Sequence, residues 1–322
     1  MTTYNYNSEL IKAMNEKLPN GTNLANTLID MLYLGKEAVY RRLRGEVPFT
    51  LAEAAVISQK MGVSLDKLVG TNVDSNAIFD LNIIRQTDPL ETYYSIVDNY
   101  VKIFRDLNHD PSSELCTSSN MIPQTFYLKY ELLSKFRMFK WMYQFGKIDI
   151  EKHFEDIEVV DKLLEKQREF VRESQEFQHT EYIWDNKLFI YLINDIKYFA
   201  SIHLISQEYV QKLKKELLQL LNELEEIAMR GRFKTGQKVS IYISNINFEA
   251  TYSYVASSVY HISLVRVFAI NSFATYDEQV FNSVKEWIHS LKKFSTLISQ
   301  SGEMQRIKFF KTQREIVEGL CI

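Results

Sequence analysis

Ten glycines and five prolines are the only strong helix breakers in 322 residues, so most stretches between turns are free to propagate a helix. Leu, Lys, Glu, Ile and Phe are abundant in the remainder. Such a chain is expected to be mainly α, and an all-β sandwich or barrel is not expected. Hydrophobic residues make up 46%, with 20 Phe, 19 Tyr and 3 Trp among them. Burying that much apolar side chain offsets the entropy of ordering the backbone, which excludes disorder. The length predicts two domains, one small and one large.

The first seventy residues are punctuated as five short helices. Ser8 to Leu18 places Leu10, Ile11, Met14 and Leu18 at helical spacing, and Pro19-Asn20-Gly21 stops it. Asn23 caps a second helix that runs to Leu32. After the turn Tyr33-Leu34-Gly35, a third helix spans Lys36 to Arg44 with Ala38, Val39 and Leu43 inward, ended by Gly45 and Pro48. Thr50-x-x-Glu53 is a capping box opening a fourth helix that stops at Gly62, and Ser64 caps a one-turn fifth ending at Val69-Gly70.

Net charge is −3 over the whole chain, yet Lys36, Arg41, Arg42 and Arg44 stand against Glu37 alone between Gly35 and Arg44. Position rather than total carries the signal. The stretch LIDMLYLGKEAVYRRLRGEVPFTLAEAAVISQKMGVSLDKLVG resembles the lambda-repressor-like, or Xre-type, helix-turn-helix domain of bacterial and phage transcription regulators. The shared features are a helix ending in Leu32, apolar Leu34 in the turn, Val39 inside the next helix, its end at Arg44-Gly45, and a further helix leading to Gly62-Val63-Ser64.

The resemblance covers about a fifth of the chain and implies that the helix from Lys36 enters a DNA major groove. Lys36, Glu37, Tyr40 and Arg41 are then the expected base-edge contacts, and Arg42 and Arg44 the phosphate contacts. The sequence departs from the family at Gly35, where a small hydroxyl residue usually caps the helix. One short helix spans few bases, so a homodimer on double-stranded DNA is expected.

The domains are expected at 1–70 and 89–322, with a linker over 71–88. In the larger one, Asp88-Pro89-Leu90-Glu91 combines an N-cap, an N1 proline and a capping glutamate, and opens a helix to Leu107 with Tyr93, Ile96, Val97, Tyr100 and Phe104 inward. Further helices are expected from Pro123 to Phe145 (stopped by Gly146), over 149–175, from Tyr182 to Leu204, from Glu208 to Arg230 before Gly231, from Tyr276 to Ile298, and from a Ser301 cap to Glu318. Alternation over Lys238–Ser244, Phe248–Val255 and His261–Phe273 predicts a three-stranded antiparallel meander. The architecture expected is a large helical bundle with a small antiparallel sheet near residues 238–273.

Other chemistry finds little footing. Cys116 and Cys321 lie far apart with no ligand-spaced partner, and the six histidines form no metal pair, so neither a disulfide framework nor a cofactor is expected. No P-loop, G-x-S-x-G or G-x-G-x-x-G occurs, and enzymatic activity is not expected. Leu188 to Ile205 is apolar but carries Asn194, Asp195, Lys197 and His203, so no membrane span is expected. The start shows no secretion signal, and the expected location is the cytoplasm.

The aromatics of residues 90–275 fill a core, and their tyrosines could also line a site for a small-molecule or peptide effector. The reading is a sequence-specific transcription regulator with a C-terminal effector or oligomerisation domain. Its competitor is a non-enzymatic protein-interaction module whose N-terminal domain binds no DNA.

Overall fold

In the computed structural model the chain divides into two compact units, Met1–Ile78 and Phe79–Ile322. The structure describes residues 5–18, 22–69, 77–84, 88–145, 152–268 and 270–320. The Pro19-Asn20-Gly21 stop, Gly70, linker residues 71–76, Gly146 and Cys321 lie outside them.

Among the described residues the first unit holds five helices: α1 (Tyr6–Lys17), α2 (Leu24–Leu32), α3 (Lys36–Leu43), α4 (Leu51–Met61) and α5 (Leu65–Val69). α1 starts earlier than its apolar spacing suggests, because the Asn5 side chain accepts from Ser8 N. Asn23 caps α2 by accepting from Ala25 N at 2.9 Å and Asn26 N at 3.3 Å. Both arms of the capping box are made at α4, with Glu53 N donating to Thr50 Oγ1 and Thr50 N to Glu53 Oε2. α4 ends on Gly62 in the left-handed region at φ 68°. Leu10, Met14, Ala25, Leu28, Val39, Ile57 and Val63 form the buried centre.

The second unit corrects the expected helical bundle. In chain order it comprises β1 (Asp80–Asn82), α6 (Pro89–Leu107), β2 (Glu114–Ser119), α7 (Gln124–Tyr127), α8 (Glu131–Gln144), α9 (Asp161–Glu173), β3 (His179–Trp184), α10 (Ile190–Ser201) and α11 (Gln207–Arg230). Then follow β4 (Lys238–Ser244), β5 (Tyr252–Ala256), β6 (His261–Phe268), β7 (Asn271–Thr275), α12 (Glu278–Leu291), β8 (Ser295–Leu297) and α13 (Glu303–Glu318). The strands form one eight-stranded sheet in the order β1-β7-β6-β5-β2-β3-β4-β8. β2, β3 and β4 are mutually parallel and the other pairings are antiparallel. The unit is therefore an α/β mix, not mainly α with a small antiparallel sheet near 238–273.

Successive strand residues point to opposite faces, and here both faces are covered. Leu115, Tyr182, Trp184, Val239, Ile241 and Val255 join the large core with α6, α8, α9, α10, α11 and α13. Their neighbours Cys116, Ile183, Tyr254 and Ala256 pack instead with Phe281, Ile288 and Leu291 of α12.

Particular expectations shift with the sheet. β4 pairs with β3 and β8, so only β5, β6 and β7 form the meander. The helix expected from Tyr182 begins at Ile190, after the last strand residues and a turn in which Asp185 Oδ1 accepts from Lys187 N. The helix expected from Pro123 to Phe145 is two, α7 and α8. Gly302, in the left-handed region at φ 59°, rather than Ser301, precedes α13. Asp88 and Pro89 open α6 as expected, and Gly231 closes α11 at φ 61°.

Candidate nucleic-acid interface

The inner side of α3 is fixed by apolar packing and by hydrogen bonds. Val39 is fully buried, and Leu34 and Leu43 pack around it, a burial that contributes about 1.5–3 kcal/mol for such a side chain. Arg42 lies one residue before Leu43 and is turned into the unit. Its Nε and Nη2 donate to Glu53 at 2.9 and 2.8 Å, and its Nη1 donates back to Ala38 O at 3.0 Å. Both side chains of the pair are about 85% covered, at 14% and 15% exposure. From the other side, Asn7 of α1 donates to Arg42 O and accepts from Phe49 N.

Glu53 therefore has two roles, capping α4 and clamping α3. Burial alone would raise its carboxyl, but the hydrogen bonds from Arg42 and Thr50 outweigh that and hold it below its ordinary value. The structure thus gives Arg42, expected at phosphates, an internal partner instead.

The opposite side of α3 is open. Lys36, Glu37, Arg41 and Arg44 are exposed, and Tyr40 is half-buried, packed partly against the core with the Lys36 ammonium 6.0 Å from its ring. Arg44 donates to Glu46 at 2.6 Å and to Glu37 at 3.0 Å, and Arg41 Nε lies 3.5 Å from Glu46. Those hydrogen bonds raise the Arg44 pKa, and Arg44 in turn lowers Glu46. The groups are about half exposed or more, so water and salt screen the pairs and a competing anion displaces them at small cost. Three exposed cations against two exposed carboxylates leave one net positive charge on this face.

The entry to α3 adds two features. Gly35 is its N-cap and supplies no side-chain acceptor, so the first amides of the helix face outward with the positive end of its dipole. Before it, Tyr33 adopts the left-handed conformation at φ 54° and is 88% exposed, with Lys60 of α4 5.9 Å from its ring. In the sequence Tyr33 is a plain turn residue, and no spacing links Lys60 to it. The available signal was a bulky aromatic in a turn where glycine or asparagine is usual.

Within the second unit, a polar cluster lies against the α12 face of the sheet. Lys292 pairs with Glu181, Cys116 Sγ lies 3.8 Å from the same carboxylate, and Tyr254 Oη is 2.9 Å from His289 Nε2. Burial and Glu181 raise the Cys116 thiol far above its ordinary range, so it is held as a thiol rather than a thiolate. Burial and Lys292 lower His289, which favours neutral imidazole. Among the described residues no group of three or more His, Cys, Asp and Glu could hold a metal ion, and no helix is long and apolar enough to cross a membrane.

Comparison with known protein families, with curated proteins and with solved structures finds no match to this chain.

Proposed function

We propose that the first unit binds double-stranded DNA through the outward side of α3 and that the chain is a transcription regulator. The observation that carries this reading is the division of α3: Val39 is fully buried and Arg42 is clamped to Glu53, while Lys36, Arg41 and Arg44 face solvent beside an open helix N-terminus. A helix held from behind and cationic in front meets the requirements of a groove about 12 Å wide. Arg41 and Lys36 are the proposed base-edge contacts, flanked by Tyr40 and Glu37. Arg44, released from its exposed carboxylates, contacts phosphate. Two copies reading one site as a homodimer supply useful specificity. The regulator works in the cytoplasm with its DNA, the second unit serves effector response or oligomerisation, and no catalytic step is involved.

The test is binding-site selection from a random DNA pool, followed by salt titration of the affinity. The phosphate contact of Arg44 gives a log–log slope of about −1 per reading domain and about −2 for the homodimer. Failure to enrich any sequence, with a slope near zero, overturns the proposal.

A second reading, a protein-interaction module, is favoured by Tyr33 at 88% and Leu51 at 82% exposure in the same unit. It requires binding that is insensitive to salt and unaffected by loss of Arg41.

A further inference from the structure

Arg266 lies in β6 at a position where the strand's alternation calls for an apolar residue. Ile262 and Leu264, four and two residues earlier, belong to the face that packs on the large helical layer, and Arg266 shares that face. Its Nη1 contacts the thioether of Met121 at 2.9 Å. The groups whose charges bear on it are Tyr127, Arg137 and Tyr93, none of them a carboxylate. Arg266 is partly buried, and that burial lowers its pKa to about 10, so the guanidinium has neither full hydration nor a carboxylate partner.

Arg266 also lines a cavity of about 110 Å³ between the sheet and α6. The wall is apolar and aromatic, with Val97 and Phe104 of α6 and Phe170 of α9. The floor carries a strip of hydroxyls beside the cation: Thr117 and Ser253, joined at 3.0 Å, with Thr251 and Ser272 next to Arg266. An apolar chamber with one cation and several hydroxyls along its floor is the form of a site for an amphipathic anion. One guanidinium matches one carboxylate through two parallel hydrogen bonds. The volume is of the order that accepts a single aromatic ring.

We propose that this cavity binds a small carboxylate with an apolar body, its carboxylate on Arg266 and its tail against α6. The site lies within the second unit, and the inference does not rest on the DNA-binding reading.

Calorimetric titration of the full chain with benzoate, phenylacetate and hexanoate tests it, with benzamide as the neutral isostere of benzoate. At least one carboxylate is expected to bind saturably below about 10 mM. Benzoate should bind at least tenfold more tightly than benzamide, and Arg266→Gln should weaken carboxylate binding at least tenfold. Absence of saturable binding by all three carboxylates overturns the proposal, as does equal affinity for benzoate and benzamide. Both outcomes are read on the unaltered protein and stand whether or not the variant folds. Unchanged carboxylate affinity in a folded Arg266→Gln protein overturns it as well.

Discussion

Glu53→Gln removes the charge that holds α3 in place while keeping the side chain's size. Losing one partner of a fully buried ion pair costs about 3–5 kcal/mol. Here the side chains retain 14% and 15% exposure, and glutamine keeps one acceptor for Arg42, so the expected cost is about 2–3 kcal/mol. A unit of this size has roughly 4–12 kcal/mol in all, so the loss is a large fraction. Trp141, Trp184 and Trp287 all lie in the second unit, so tryptophan fluorescence does not report on the first.

Hydrogen exchange followed by mass spectrometry does report on it. Peptides covering α3 and α4 should exchange roughly 30- to 150-fold faster in the variant, with peptides of the second unit unchanged. The effect also depends on pH. The folded carboxyl sits below its unfolded value near 4.3, so its stabilisation is complete above that value and is lost as pH falls through the folded one. The acceleration should therefore shrink on acidification below about pH 4. Identical exchange in α3 and α4 at pH 7 would refute the clamp.

Other changes probe separate parts of the molecule. Tyr33→Gly relieves a left-handed tyrosine that buries almost nothing, and should stabilise the first unit by about 0.5–1 kcal/mol in exchange experiments; destabilisation would contradict the strain argument. Arg41→Ala should weaken binding to selected DNA more than to random DNA, whereas equal loss on both would make Arg41 a phosphate contact only. Gly302→Ala places a Cβ 2.3 Å from Leu297 O at φ 59°, and should lower the stability of the second unit by more than about 2 kcal/mol in thermal unfolding. Arg266→Met removes a partly buried cation that has no carboxylate partner and should raise the stability of the free protein by up to about 1 kcal/mol in thermal unfolding; a fall would mean that the guanidinium is structural.

Much of the local punctuation was legible in the sequence. Asn23, the Thr50/Glu53 box, Gly62, Asp88-Pro89 and Gly231 begin and end helices as their chemistry requires, because a cap acts over three or four residues. The central strands were not legible. In β2 (ELCTSS) a leucine and a cysteine are followed by buried hydroxyls, and in β3 (HTEYIW) an apolar end runs on towards a helix. Strands buried on both faces lose the alternation that betrays a half-exposed one, and a short apolar run does not distinguish strand from helix.

The candidate interface divides in the same way. Of the four residues that the resemblance puts at base edges, Lys36, Glu37 and Arg41 are exposed, whereas Tyr40 is half-buried against the core. Arg42 carries the same charge as Arg41 one position along, and its turn inward depends on a carboxylate eleven residues away. The uncompensated Arg266 is likewise visible only once β6 lies in the sheet. Sequence determined the helix ends that carry a local cap or stop, at Asn23, Thr50, Gly62, Asp88-Pro89 and Gly231, and which side of α3 is apolar, because those follow from interactions within a few residues. Tertiary structure decided which strands pair and which charges are neutralised, because those energies depend on partners that only the folded chain brings within a few ångströms.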